Sequence, residues 1–158
     1  MAVWNELTRV FERSLAPARP DLPAIVAREG ELDILVVFTS EAATLLALKT
    51  ANTLAAKLHA RITMIALQLV PYPAPLTCPP VLVDFAENRF RSFAAASQVE
   101  TMVQIYLCRD RWEGLKAMLK PRSLVVVGAR RRWWPTRDMR LAAKLRRAGH
   151  EVVIAELE

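Results

Sequence analysis

Five short apolar runs recur along the chain: LDILVVFT (32–39), ITMIALQLV (62–70), VETMVQIYLC (99–108), SLVVVG (123–128) and EVVIAEL (151–157). Runs of this length, rich in Val, Ile and Leu, are strand-sized. Where no polar residue alternates with the apolar ones, both faces of the strand must be buried, as in a parallel sheet. Between the runs, apolar residues return at helical spacing. Ser40 is placed to cap a helix running to residue 58, Glu41 sits favourably in its first turn, and Leu45, Leu48, Ala51, Ala55 and Leu58 make its inward face. Leu82, Ala86, Phe90, Phe93 and Ser97 mark a second helix. Trp112, Leu115, Lys116 and Leu119 mark a third, ended by Pro121. In the last, Thr136 is the cap, Leu141, Ala142, Leu145 and Ala148 face inward, and Gly149 is the stop. Strand and helix alternate with connections long enough for βαβ crossovers. The expected fold class is therefore a doubly wound, five-stranded parallel α/β sheet with helices on both faces. Only VETMVQIYLC alternates clearly, which predicts a strand nearer the sheet's edge.

With 158 residues, 53% of them hydrophobic, the chain holds enough material for one well-buried core. Ahead of the first run, Val3, Trp4, Leu7, Val10, Phe11 and Leu15 fall at helical spacing and predict an amphipathic helix over residues 1–15. Pro17, Pro20, Pro23 and Gly30 then predict a connecting arm, so the organisation expected is an N-terminal helix and arm over 1–31 and an α/β domain over 32–158. Residues 62–83 carry no charge over 22 positions, long enough to span a bilayer, but five prolines between 71 and 80 exclude a transmembrane helix there. Glu6, Arg9, Glu12 and Arg13 interrupt any secretory signal. Cys78 and Cys108 stand alone with only His59 and His150 to help them, which excludes a zinc motif or a disulfide framework and points to free thiols in the cytoplasm. Neither histidine has a nucleophile at a recognised spacing. Asp84, Glu87, Asp110 and Glu113 sit at solvent-facing helical positions, so no catalytic residue is nominated and binding is expected rather than catalysis.

The stretches DILVVFTSEAATLLALKTANTLAAKLHARITMIALQLV (33–70) and VETMVQIYLCRDRWEGLKAMLKPRSLVVVGARRR (99–132), followed by a basic helix and HEVVIAEL, resemble the two halves of universal stress proteins. The resemblance covers residues 32–158. It implies a sheet order of 3-2-1-4-5 and a homodimer formed by pairing of the last strands. Nucleotide-binding members of that family carry Gly-x-x-Gly, nine residues, then Gly-Ser or Gly-Thr after the fourth strand. Here those positions are Gly128, Arg131, Leu141 and Ala142. The glycines let main chain approach phosphate oxygens, and an arginine side chain in their path crowds them. The aspartate usual at the end of the first strand is also replaced, by the Phe38–Thr39 corner. The chain has four glycines, at 30, 114, 128 and 149, too few to assemble a phosphate cradle elsewhere. The expectation is no ATP bound in the family's usual manner.

What replaces it is VVVGARRRWWPTR (125–137). From Arg130 to Arg147 eight basic residues face Asp138 alone, a surplus larger than the whole chain's net charge of +6. Open α/β sheets bind ligands beyond the carboxyl ends of their central strands, and arginine grips phosphate as a fork. A nucleotide or small anion held by Thr39, Ser40, Gly128, Arg130 and Arg131 is one expectation. Another is an interaction face of Arg132, Trp133, Trp134, Arg137, Arg140, Lys144 and Arg147, meeting an acidic protein or nucleic acid. The bland alternative for the charged stripe is the solvated back of an amphipathic helix, although two adjacent indoles are hard to bury from one turn.

Overall fold

The computed structural model describes residues 32–72, Arg89, Ser92 and 101–157, together with the backbone of 8–15. Five parallel strands form its centre: β2 (Asp33–Val37), β3 (Arg61–Leu69), β4 (Thr101–Cys108), β5 (Leu124–Arg130) and β6 (Glu151–Leu157). Their spatial order is β4-β3-β2-β5-β6, the doubly wound arrangement in which the first of the parallel strands is central and the others are laid outward from it in both directions. Helix α1 (Glu41–Leu58) joins β2 to β3, α2 (Arg111–Met118) joins β4 to β5, and α3 (Arg137–Arg147) joins β5 to β6. The expected helix over 82–97 lies outside the described residues except for Arg89 and Ser92, both helical. Cys78 and the proline-rich loop also lie outside them.

The sheet has a core on each face. On one, α1 lays Ala47, Leu48, Ala51 and Ala55 on Ile34, Val36, Ile62, Met64, Val103, Ile105 and Val126. On the other, Leu115 of α2 and Leu145 of α3 pack with Val37, Ile65, Val125 and Val127. Successive strand residues point to opposite faces, so uninterrupted apolar runs such as ILVV and LVVV are what a sheet covered on both sides requires. In β4 the first five residues alternate between buried and half-buried, in keeping with its place at the flank of the parallel strands.

The N-terminal segment departs from expectation. Residues Thr8–Leu15 form strand β1, antiparallel to β4, with a register shift between Arg9 and Phe11, rather than part of an amphipathic helix. Thr8, Val10 and Phe11 are β-branched or aromatic, and the flank of β4 offers a row of backbone groups that a strand can pair with along its length; that tertiary opportunity outweighs a local helical period. Residues 1–7 and the arm over 16–31 lie outside the described residues.

Two helical faces are also corrected. In α1 the residues turned inward are Ala43, Thr44, Ala47, Leu48, Ala51 and Ala55, whereas Leu45 and Leu58 are exposed. The buried stripe is small because the helix lies close to the sheet. In α3, Ala142 and Leu145 are buried and Leu141 half-buried, but Ala148 is exposed as the C-cap residue. The expected stops hold: Gly149 has φ 92°, and His59, beyond α1, takes the left-handed conformation at φ 50°.

Candidate functional site

The winding of the sheet reverses between the parallel strands β2 and β5, one crossover leading to β3 and the other outward to β6, and the carboxyl ends of β2 and β5 open the crevice where folds of this kind place ligands. The β2 end supplies Phe38, Thr39 and Ser40. Ser40 is the N-cap of α1 and its hydroxyl accepts from the Ala43 amide at 3.4 Å. The Thr39 amide donates to Oγ1 of the buried Thr44 at 3.2 Å, and the Thr39 hydroxyl donates to the Gly128 carbonyl at 3.2 Å. Thr39, Ser40 and Gly128 are thus brought together, and much of their polar capacity is spent on one another and on α1.

Gly128 has a use inside the fold. A Cβ built on it would lie 1.9 Å from the Ala43 carbonyl oxygen, so the first turn of α1 crosses β5 where only a bare α-carbon fits. This close approach explains the glycine without a ligand. The positive end of α1 is likewise occupied: Glu41 lies in its first turn and pairs with Arg89 at 2.8 Å, and Arg89 in turn stands 5.3 Å from the centre of the Phe38 ring.

Beyond Gly128 the chain leaves the core abruptly. Ala129 is buried, and every residue from Arg130 to Pro135 is exposed. The Arg131 amide donates to the Leu157 carbonyl at 2.9 Å, which draws the loop toward β6 while its side chain stays in solvent. Trp133 is 94% exposed and Trp134 77%. Thr136 then caps α3 by accepting from the Met139 amide at 3.3 Å. On α3 the side chains of Arg137, Arg140, Lys144 and Arg147 are all exposed, and Lys144 sits 5.5 Å from the centre of the Trp112 ring on α2. Asp138, the one acid of this stretch, is half-buried; burial raises its pKa, and Arg111 acts in the opposite sense. The indole and cation positions predicted from sequence therefore share one exposed loop and the helix it enters. Leu141 and Ala142 lie in the second turn of α3, Ala142 fully buried and Leu141 packed against the cluster around Leu145.

The same rim carries a pair that sequence reasoning did not single out. Tyr72, just past β3, is 77% exposed, and the Arg109 guanidinium, just past β4, lies 4.1 Å from the centre of its ring while donating to the Val70 carbonyl at 2.9 Å. A single aromatic within PYPAP was the available signal, but only the parallel register of β3 and β4 brings Arg109 onto it. Among the described residues no group of three or more His, Cys, Asp or Glu is arranged to hold a metal ion, and no helix is long and apolar enough to cross a membrane.

No family model matches the chain, and no curated protein matches it significantly. Among solved structures, the chain is similar to the crystal structure of a protein from the universal stress protein family from Burkholderia pseudomallei, at 22% identity and a TM-score of 0.51, over 77% of this chain and 93% of that one. The likeness is one of fold: the five-stranded parallel sheet with the implied 3-2-1-4-5 order, here extended by β1.

Proposed function

We propose that the chain is a universal-stress-protein-like binding or regulatory module that does not take ATP in that family's usual manner. The observation that carries this reading is the fate of the four motif positions. Gly128 is used up against the Ala43 carbonyl, Arg131 presents a charged side chain, Leu141 is packed into the core cluster, and Ala142 is fully buried. A triphosphate needs bare main chain and a reachable hydroxyl at such a turn. The test is the nucleotide content of protein purified without added nucleotide, followed by calorimetric titration with MgATP, AMP and cyclic dinucleotides. The expected result is protein free of nucleotide and silent with ATP; ATP carried through purification, or binding at about micromolar Kd, overturns the reading.

Two further readings have their own support. Arg130 and Arg131 are exposed beside the switch-point crevice, which favours a small anion or nucleotide gripped by arginine side chains in place of backbone amides. The exposed indoles of Trp133 and Trp134, next to Arg132 and ahead of the cationic stripe on α3, favour an interaction face for an acidic protein or nucleic acid. The module is proposed to dimerise through β6, whose outer edge no described strand covers, and to reside in the cytoplasm, as its isolated cysteines favour.

A further inference from the structure

We propose that the carboxyl-terminal rim of the sheet binds single-stranded nucleic acid, with Trp133 and Trp134 at one end and Tyr72 at the other as base-stacking platforms, and with Arg130, Arg131 and Arg132 meeting the phosphates. The proposal rests on the reading of this region as an interaction face and narrows its partner.

Three observations carry it. First, the large aromatic side chains that the described residues leave most exposed are these three, and all follow the carboxyl ends of parallel strands. In the sheet, β3 and β5 flank β2, so the strands that lead to Tyr72 and to the loop after β5 lie about 10 Å apart, two strand spacings, a gap that a short piece of extended single strand crosses. Second, cations accompany both aromatic groups: the Arg109 guanidinium lies on the Tyr72 ring, and Trp133 and Trp134 follow Arg130, Arg131 and Arg132 directly in the same exposed loop. A ring with a cation on one face keeps the other face for a base, the arrangement of sequence-tolerant single-strand binders. Third, the charge is uncompensated: no carboxylate of a described residue forms an ion pair with Arg130, Arg131, Arg132, Arg137 or Arg140, while Glu41 and Glu113 are already paired.

Other anionic partners fit less of this. A duplex offers phosphates to the arginines but keeps its base faces stacked, so the indoles would be unused. A bilayer accepts indoles at its interface, but the Tyr72 ring is masked on one side by a guanidinium and the two aromatic sites are separated by the polar Thr39–Ser40 corner.

The test is fluorescence anisotropy of a fluorescein-labelled oligothymidylate of about 12 nucleotides, against the corresponding duplex, heparin, and phosphatidylserine-containing vesicles. Two variants accompany it, Trp133→Ala with Trp134→Ala, and Tyr72→Ala, each with a thermal melt. Expected are preference for the single strand, a log–log salt slope of about −2 for about three neutralised phosphates, quenching of tryptophan emission, and affinity about tenfold weaker in each variant with an unchanged melt. No binding at low salt, duplex or vesicle binding as tight as the single strand, or full affinity in either variant overturns the proposal. Heparin binding without oligonucleotide binding sinks the proposal but leaves the interaction face standing; loss of both sinks both.

Discussion

Two residues show how local chemistry sets limits on this molecule. At Gly128 the Ala43 carbonyl would lie 1.9 Å from any Cβ, and both atoms belong to backbone that cannot swing aside. Gly128→Ala is therefore expected to lower stability by about 1–3 kcal/mol, read by urea unfolding, through displacement of the first turn of α1. An unchanged midpoint would mean that α1 does not approach β5 so closely. Asp33, at the start of β2, has its carboxylate raised above the usual 3.8 chiefly by burial, against the hydroxyl of Thr63, which donates to both its oxygens at 2.9 and 3.0 Å, and the charges of Arg61 and Lys120. The folded state then holds the proton more tightly than the unfolded one. The contribution of this group to stability accordingly falls as pH rises from 3.8 through the raised value. Asp33→Asn keeps an acceptor for Thr63 and removes the titration. The stability of the wild type relative to this variant should decline with rising pH across that window in paired melts; a rising difference would reverse the assignment.

At the scale of elements, α1 illustrates how a helix is read correctly in extent and incompletely in facing. Its start at Ser40 and end near residue 58 follow from capping chemistry that is local to the chain. Its buried stripe of alanines at four-residue spacing is a consequence of how near it lies to β5, which no local pattern announces; large apolar residues were the natural choice for an inward face. Ala51→Leu, at a fully buried position in that stripe, should cost about 1–3 kcal/mol and disturb the sheet contact, whereas Leu45→Ala on the exposed side should be nearly neutral; chemical denaturation of the pair separates the two faces. The opposite error occurs at β1. A helical period across Val3, Leu7, Val10 and Phe11 was legible, yet Thr8–Leu15 pairs with β4, because the hydrogen-bonding demand of that strand's flank is invisible in the sequence of β1.

For the molecule as a whole, the two flanks of the sheet are treated differently. β1 covers β4, but among the described residues no strand covers the outer edge of β6, where Arg146 donates to the Val152 carbonyl at 3.1 Å and Val152, Val153 and Ile154 are only half-buried. Edges of that kind are paired or guarded. Dimerisation through β6 predicts that sedimentation velocity finds a dimer and that Ile154→Lys shifts it to monomer with secondary structure intact; a monomeric wild type would refute it. The parallel α/β class, the cap residues Ser40 and Thr136 and the cationic segment from Arg130 to Arg147 all follow from the sequence alone, since apolar periodicity, capping and charge act within a few residues of where they are written. The pairing of β1 with β4, the burial of Gly128 against α1, and the meeting of Tyr72 with Arg109 on the rim that also carries Trp133 were decided by tertiary structure. Each depends on groups far apart in the chain that only the twist, order and register of the sheet bring within contact distance.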